Sequence, residues 1–123
     1  MAAATVLCID DQVPALKLRK ESLENCGFIV ETASSVRMGM KLLEQDPIAV
    51  VLLEYKQEGM DAEAVAFQIR QRFPSMPIVL LSAYSEMPER ILWLVDEYVM
   101  KSASASQLVS VIRKLIRVRA IAA

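Results

Sequence analysis

Most of the apolar runs in this chain end in a side chain that could take part in ionic or phosphoryl chemistry. The polar residues in these positions are Asp10, Asp11, Glu54, Ser82 and Lys101. Three carboxylates brought together away from water need a cation, because an unpaired buried charge is strongly disfavoured. Lys101 provides one positive charge. A hard divalent ion such as Mg²⁺, which binds carboxylates, waters and phosphate oxygens, would provide the rest.

The elements that must position these side chains alternate between strand and helix. Apolar runs of strand length lie at residues 5–9, 28–33, 48–53, 77–83 and 97–100. Three of them are apolar without alternation, which is typical of strands covered on both faces in a parallel sheet. This order predicts a three-layer α/β domain in which the carboxyl ends of the strands share one edge and form the ligand crevice.

Segments with helical spacing separate the apolar runs. The first extends from Pro14 to Cys26 and is stopped by Gly27. The second and third carry apolar stripes, and the last begins with the capping-box pattern Ser104-x-x-Gln107. The stripe residues are Val36, Gly39, Met40, Leu43, Val65, Ala66, Ile69, Leu108, Val111, Ile112 and Leu115.

Each polar residue at a strand end also has an ordinary structural explanation. Asp10 or Asp11 could cap the helix that follows, since Asp is favoured at that position. Ser82 could be a strand-end hydroxyl, and Lys101 a solvated lysine, as most lysines are. Because four of the five runs end in groups that complement one another, we favour the interpretation that they form one site.

The composition excludes several classes of function. The 123 residues are 54% hydrophobic and carry a net charge of −1, which suits one domain without an overall field that attracts nucleic acid. The chain has no histidine, so histidine serves neither as metal ligand nor as phosphoryl carrier. Cys8 and Cys26 lack a CxxC spacing and indicate buried thiols in a reducing compartment. With no signal peptide and no apolar run near the roughly 20 residues of a membrane span, we expect a cytoplasmic protein that does not enter a membrane.

Four segments, in this order along the chain, resemble one family. They are IDD at 9–11, VVLLEYKQEGMDA at 50–62, IVLLSAY at 78–84 and YVMK at 98–101. Together they resemble the receiver domain of two-component response regulators, the CheY-like domains. The resemblance implies a doubly wound, flavodoxin-like (βα)₅ fold with parallel strand order 2-1-3-4-5, and residues 1–123 as a single receiver-like domain.

The resemblance also implies a role for each residue of the site. The residues that match the family's Mg²⁺ ligands are Asp10, Asp11, Glu54 and, through its backbone carbonyl, Lys56. Glu54 stands at the phosphoryl-accepting position and Lys101 at the position of the invariant lysine. Ser82 matches the switch hydroxyl that follows the phosphoryl group, and Tyr98 matches the aromatic residue that changes rotamer on activation.

Glu54 departs from the family, whose phosphoryl acceptor is an aspartate. Its carboxylate has the same chemistry on a stem one methylene longer, which displaces the attacking oxygen by about 1 Å and can cost around 10²-fold in rate. We therefore expect Glu54 to be poorly phosphorylated and Mg²⁺ to bind weakly. Two consequences stay open: the longer acid imitates a phosphorylated aspartate and activates the domain, or it pairs with Lys101 and freezes the switch.

Two further features lie near the fifth strand. Ser102 stands where the family has a proline in a cis peptide, so we expect a trans bond there. The run ILWLV at 91–95 is more apolar than a one-sided helix requires. The simpler expectation places Trp93 in the core. The alternative is a partner surface formed by Trp93, Leu94 and Tyr98.

The sequence predicts an atypical receiver that is not an enzyme and acts by contact with proteins, namely a sensor histidine kinase, an output protein or both. A homodimer is a further candidate, and direct nucleic acid binding is not expected. Two alternatives remain: an ordinary phospho-accepting receiver with an engineered Asp-to-Glu change at position 54, and a small metal-dependent phosphotransfer enzyme. The enzyme is disfavoured because no segment beyond the five βα units could supply a substrate pocket.

Overall fold

In the computed structural model, which describes residues 3–56 and 59–122, strands and helices alternate along the chain. The strands are β1 (Thr5–Ile9), β2 (Ile29–Ala33), β3 (Val50–Glu54), β4 (Ile78–Ser82) and β5 (Glu97–Met100). The helices are α1 (Val13–Glu24), α2 (Val36–Gln45), α3 (Ala62–Arg72), α4 (Glu89–Leu92) and α5 (Ala105–Ala122). The observed strands agree with the predicted runs to within one or two residues, and Glu54 is the last residue of β3.

The five strands form one parallel sheet in the order β2-β1-β3-β4-β5. This order confirms the predicted doubly wound, flavodoxin-like fold. The chain moves outward from β1 in one direction to β2 and in the other to β3, which makes the gap between β1 and β3 the topological switch point. The polar residues predicted to form a site therefore lie along one edge of the sheet, around that point.

Helices cover both faces of the sheet, and successive residues of the central strands alternate between two cores. The core under α2, α3 and α4 includes the strand residues Leu7, Ile9, Val51, Leu53, Ile78 and Leu80. The core under α1 and α5 includes Val6, Cys8, Val50, Leu52, Val79 and Leu81. Because both faces require apolar side chains, these strands show no polar alternation in the sequence.

The predicted helix signals are also found in the structure. Gly27, which follows α1, has a φ of 94°, in the left-handed region that glycine adopts at helix ends. The Ser104 hydroxyl accepts a hydrogen bond from the Gln107 N–H at 3.2 Å and begins α5. Most of the predicted stripe residues are buried. In the part of the chain that the structure describes, no helix is long and apolar enough to cross a membrane.

The expectation that Trp93 lies in the core is wrong. Helix α4 has only four residues, and its buried position belongs to Ile91, which is 1% exposed. Positions two apart on a helix point in nearly opposite directions, so Trp93 faces solvent and is 81% exposed. Leu92 is 40% exposed beside it, whereas Leu94 packs against the core. Within the run at 91–95, the exposed apolar side chains are therefore Leu92 and Trp93.

Candidate functional site

The site is organised around an acid at the end of β3. The Glu54 side chain is buried, and its carboxylate forms an ion pair with the ammonium group of Lys101. Asp10 is also buried, and it lines the same cavity of about 30 Å³ as Glu54 and Lys101. A cavity of this size holds a water molecule or two. Asp10, Glu54 and Lys101, which were predicted to belong to one site, therefore line the same cavity.

Lys101 is held in place by the backbone of the neighbouring strand. Its N–H donates to the carbonyl of Ser82 at 2.8 Å, which continues the parallel ladder between β4 and β5. The Lys101–Ser102 peptide bond is trans, as predicted from the serine that replaces proline. The lysine stem therefore reaches Glu54 from a regular strand end.

Ser82 is the last residue of β4, and Tyr98 lies within β5, the strand that leads to Lys101. Ser82 is fully buried, and its hydroxyl oxygen accepts a hydrogen bond from the Tyr84 N–H at 3.0 Å. The Tyr98 hydroxyl is buried and has no hydrogen-bond partner among residues 3–56 and 59–122. The Tyr98 ring is thus turned so that its polar end lies inside the protein. The switch roles assigned to both residues stay predictions.

Asp10 and Asp11 are bridged by the side chain of Lys56. The Lys56 ammonium donates to Asp10 Oδ1 at 2.5 Å and to Asp11 Oδ1 at 3.0 Å. Asp10 Oδ1 also accepts from the Gln12 N–H at 2.9 Å, and Asp11 Oδ2 accepts from the Met60 N–H at 3.1 Å. Gln12, not an aspartate, is the N-cap residue of α1, and its side chain makes no capping hydrogen bond. Neither aspartate is therefore simply a helix cap.

The pKa values of Asp11 and Lys56 reflect this contact. The hydrogen bond from Lys56, followed by the one from the Met60 N–H, lowers the pKa of the Asp11 carboxyl below its usual value. Desolvation, the largest single effect, lowers the pKa of Lys56, but the hydrogen bonds to Asp10 and Asp11 and the negative charges of both aspartates together outweigh it and raise the pKa. Both groups are thus held in their charged forms by each other.

Gly59 allows the backbone at residues 59–60 to approach the Asp11 carboxylate closely. It has a φ of 96°, in the region that favours glycine, and a Cβ atom at this position would overlap the Asp11 carboxylate. The close approach also brings the Met60 N–H to its hydrogen bond with Asp11. The backbone at residues 59–60 therefore fixes the direction in which the Asp11 carboxylate points.

The fit of this arrangement to Mg²⁺ can be judged from its oxygen atoms. Aspartate oxygens are suitable ligands, but Lys56 contacts one oxygen of each aspartate and the Met60 N–H takes the other oxygen of Asp11. Glu54 faces Lys101 instead. Within the described residues, no three acidic, histidine or cysteine side chains are grouped to hold a metal ion. As arranged, the residues do not form a Mg²⁺ site, and the predicted ligand set stays a prediction.

Two contributions to the site were not predicted from the sequence. Only the backbone carbonyl of Lys56 was expected to take part, as a metal ligand, whereas its ammonium group contacts Asp10 and Asp11. The sequence did contain an indication of this contact, since three acids and one other lysine left negative charge unbalanced. The second contribution is the edge-to-face contact of Tyr55 and Tyr84 beside the site, with ring centroids 6.1 Å apart. Each follows a site residue by one or two positions, which was the available clue.

Comparison with known proteins identifies the family. The family model of the response regulator receiver domain matches residues 6–113, and the chain belongs to this family. It is 31% identical over 115 residues to the probable transcriptional regulator ycf27 of Guillardia theta, an alignment that covers 91% of this chain and 45% of that protein. The chain thus spans less than half of that relative's length.

Solved structures of similar sequence support the same assignment. The response regulator TrrA of Thermotoga maritima, in complex with Mg²⁺ and BeF, matches with a TM-score of 0.82 and 30% identity over 91% of this chain and 98% of that chain. TrrA in its complex with the histidine kinase ThkA matches with a TM-score of 0.81 and 30% identity, over 91% and 97% of the two chains. The fold is thus that of a receiver domain.

Proposed function

We propose that this chain is an atypical receiver that signals without being phosphorylated at the usual position. The observation that carries the proposal is the buried ion pair between Glu54 and Lys101. The carboxylate that would have to attack phosphorus is already neutralised by this lysine. Its extra methylene also displaces the attacking oxygen by about 1 Å, a misplacement that costs around 10²-fold in rate.

Two forms of this proposal differ in the signalling state that Glu54 produces. If Glu54 imitates a phosphorylated aspartate, the domain is held in its active state. The imitation is incomplete, because a carboxylate has one negative charge and two oxygens where a phosphoryl group has nearly two charges and three oxygens. If Glu54 only neutralises Lys101, the switch is frozen. Self-association of the protein and of Glu54→Gln, compared by sedimentation velocity, separates the two, since only the mimic changes its association when the charge is removed.

The partners we propose are proteins. TrrA has been solved in complex with the histidine kinase ThkA, which supports a sensor histidine kinase, an output protein or both as partners of this chain. A second copy of the chain is a further candidate. We propose that the protein acts by contact with other proteins and not by enzymatic turnover. We also propose that it acts in the cytoplasm and does not bind nucleic acid directly. We also propose that Mg²⁺ binds weakly.

The proposal is tested by exposing the protein to a small-molecule phosphodonor with Mg²⁺ and measuring its intact mass. The protein is expected to stay unmodified, while Glu54→Asp gains one phosphoryl group, because it restores the shorter acceptor. Glu54→Gln serves as the control for labelling at other residues. Stoichiometric labelling of the unchanged protein that is lost in Glu54→Gln would show instead an ordinary phospho-accepting receiver.

A further inference from the structure

The position between the two aspartates of β1 and its following loop is filled by a cation that belongs to the chain. The Lys56 ammonium lies 2.5 Å from Asp10 Oδ1 and 3.0 Å from Asp11 Oδ1. Most lysine side chains extend into water. This one turns back toward the sheet edge, where the Asp10 side chain is only 7% exposed.

The charges of the site explain why the lysine turns inward. Asp10, Asp11 and Glu54 contribute three negative charges, and Lys101 neutralises only the last of them. Two adjacent aspartates without a cation would repel each other across a partly desolvated space. With both lysines in place, these three carboxylates face two ammonium groups, so the five side chains together carry a charge of −1.

We propose that the Lys56 ammonium is the resident cation of this site and takes the place of a divalent metal ion. Two backbone contacts support this role, because the Met60 N–H holds the second oxygen of Asp11 and Gly59 lacks the Cβ atom that would overlap this carboxylate. A divalent ion then binds only if the Lys56 ammonium group moves away from Asp10 and Asp11. The domain keeps the arrangement of its strand ends with or without Mg²⁺.

This inference does not depend on whether Glu54 accepts a phosphoryl group. It concerns the cation between Asp10 and Asp11, and its test uses no phosphodonor. Failure of one proposal is therefore distinguishable from failure of the other.

The test is a binding titration with Mn²⁺, followed by electron paramagnetic resonance, which distinguishes free from bound ion. The unchanged protein and Lys56→Arg are expected to bind Mn²⁺ weakly, because both keep a cation in place. Lys56→Met removes the ammonium group between Asp10 and Asp11, whose two negative charges one divalent ion balances, and it should bind Mn²⁺ at least about tenfold more tightly. Adding Asp11→Asn to Lys56→Met should remove the gain. Equal affinity of the unchanged protein and Lys56→Met would overturn the proposal.

Thermal unfolding provides a second readout that does not require every variant to fold without metal. The melting temperature of the unchanged protein should stay constant up to about 10 mM Mg²⁺, since a ligand stabilises only a state that it binds. Lys56→Met should melt at a lower temperature without divalent ions and recover when Mg²⁺ is added. A large rise in the melting temperature of the unchanged protein at low Mg²⁺ would contradict a resident ammonium, even if Lys56→Met failed to fold.

Discussion

Glu54 and Lys101 form an ion pair that crosses the carboxyl end of β4, because Glu54 ends β3, Lys101 follows β5, and β4 lies between these two strands. The two partners are unequally buried, with 6% of the Glu54 side chain exposed and 34% of the Lys101 side chain. If the pair is broken, the partly exposed Lys101 ammonium can be solvated by water, whereas the buried Glu54 carboxylate cannot. This asymmetry gives a prediction about stability.

Replacing Lys101 by methionine should destabilise the protein more than replacing Glu54 by glutamine. Removing the lysine leaves a buried carboxylate unpaired, and we expect a loss of about 1–3 kcal/mol, below the range for a fully buried pair because Lys101 is partly solvated. Urea unfolding of both single variants and the double variant measures the coupling between the two residues. A larger loss for Glu54→Gln than for Lys101→Met would contradict the assigned burial.

Arg70, near the end of α3, ties together the chain segments that lead into β4 and β5. Its guanidinium donates to the carbonyls of Leu94 and Met76, each at 2.9 Å, and to Asp96 Oδ2 at 2.9 Å. Arg70→Met should lower the free energy of unfolding by about 2 kcal/mol, since several acceptors lose a charged donor. Arg72→Met is the matched control on the same helix. Arg72 forms an ion pair with Glu44 in which both side chains are exposed, so its replacement should cost at most about 0.5 kcal/mol. Equal losses for the two would show that the Arg70 contacts contribute little.

Cys8 should make the stability of the protein fall in alkaline solution. Burial raises the pKa of this thiol from 9.0 to about 12, so it stays neutral in the folded protein while the unfolded chain ionises. Unfolding then releases a proton, and the free energy of unfolding declines as the pH rises from about 9 to about 12, with a slope of up to about 1.4 kcal/mol per pH unit.

The matched comparison for this effect is Cys8→Ala against Cys26→Ala, measured by urea unfolding between neutral and alkaline pH. Both cysteines are free thiols, but only Cys8 is fully buried. Cys8→Ala should flatten the alkaline decline, and Cys26→Ala should retain it. The same decline in both variants would assign it to other groups.

The fold was predictable because the central strands are almost entirely apolar and each ends in, or is directly followed by, a polar residue. That pattern located the strands and the edge where the site forms, and with the resemblance to receivers it gave the strand order. The direction of the Lys56 side chain was not predictable from the pattern. A lysine stem is long and flexible, and only the distances to Asp10 and Asp11 show that the ammonium lies between them.

The surface near α4 was harder to predict for a different reason. Five consecutive apolar residues carry no polar position to mark the solvent side, so the run did not indicate which side chain is exposed. The outcome depends on the length of the helix, which is four residues, and on Ile91 filling the buried position. The exposure of Trp93 follows from that geometry and not from its own hydrophobicity.

The central claim is that Glu54 is a poor phosphoryl acceptor, and the most direct measurement is the initial rate of labelling by a small phosphodonor. The rate is followed by intact mass for the unchanged protein and for Glu54→Asp under identical conditions with Mg²⁺. We predict a rate at least about 10²-fold lower for the unchanged protein, because of the displaced oxygen and the ion pair with Lys101. Comparable rates for the two proteins, with the label located on Glu54, would contradict a phosphorylation-independent receiver.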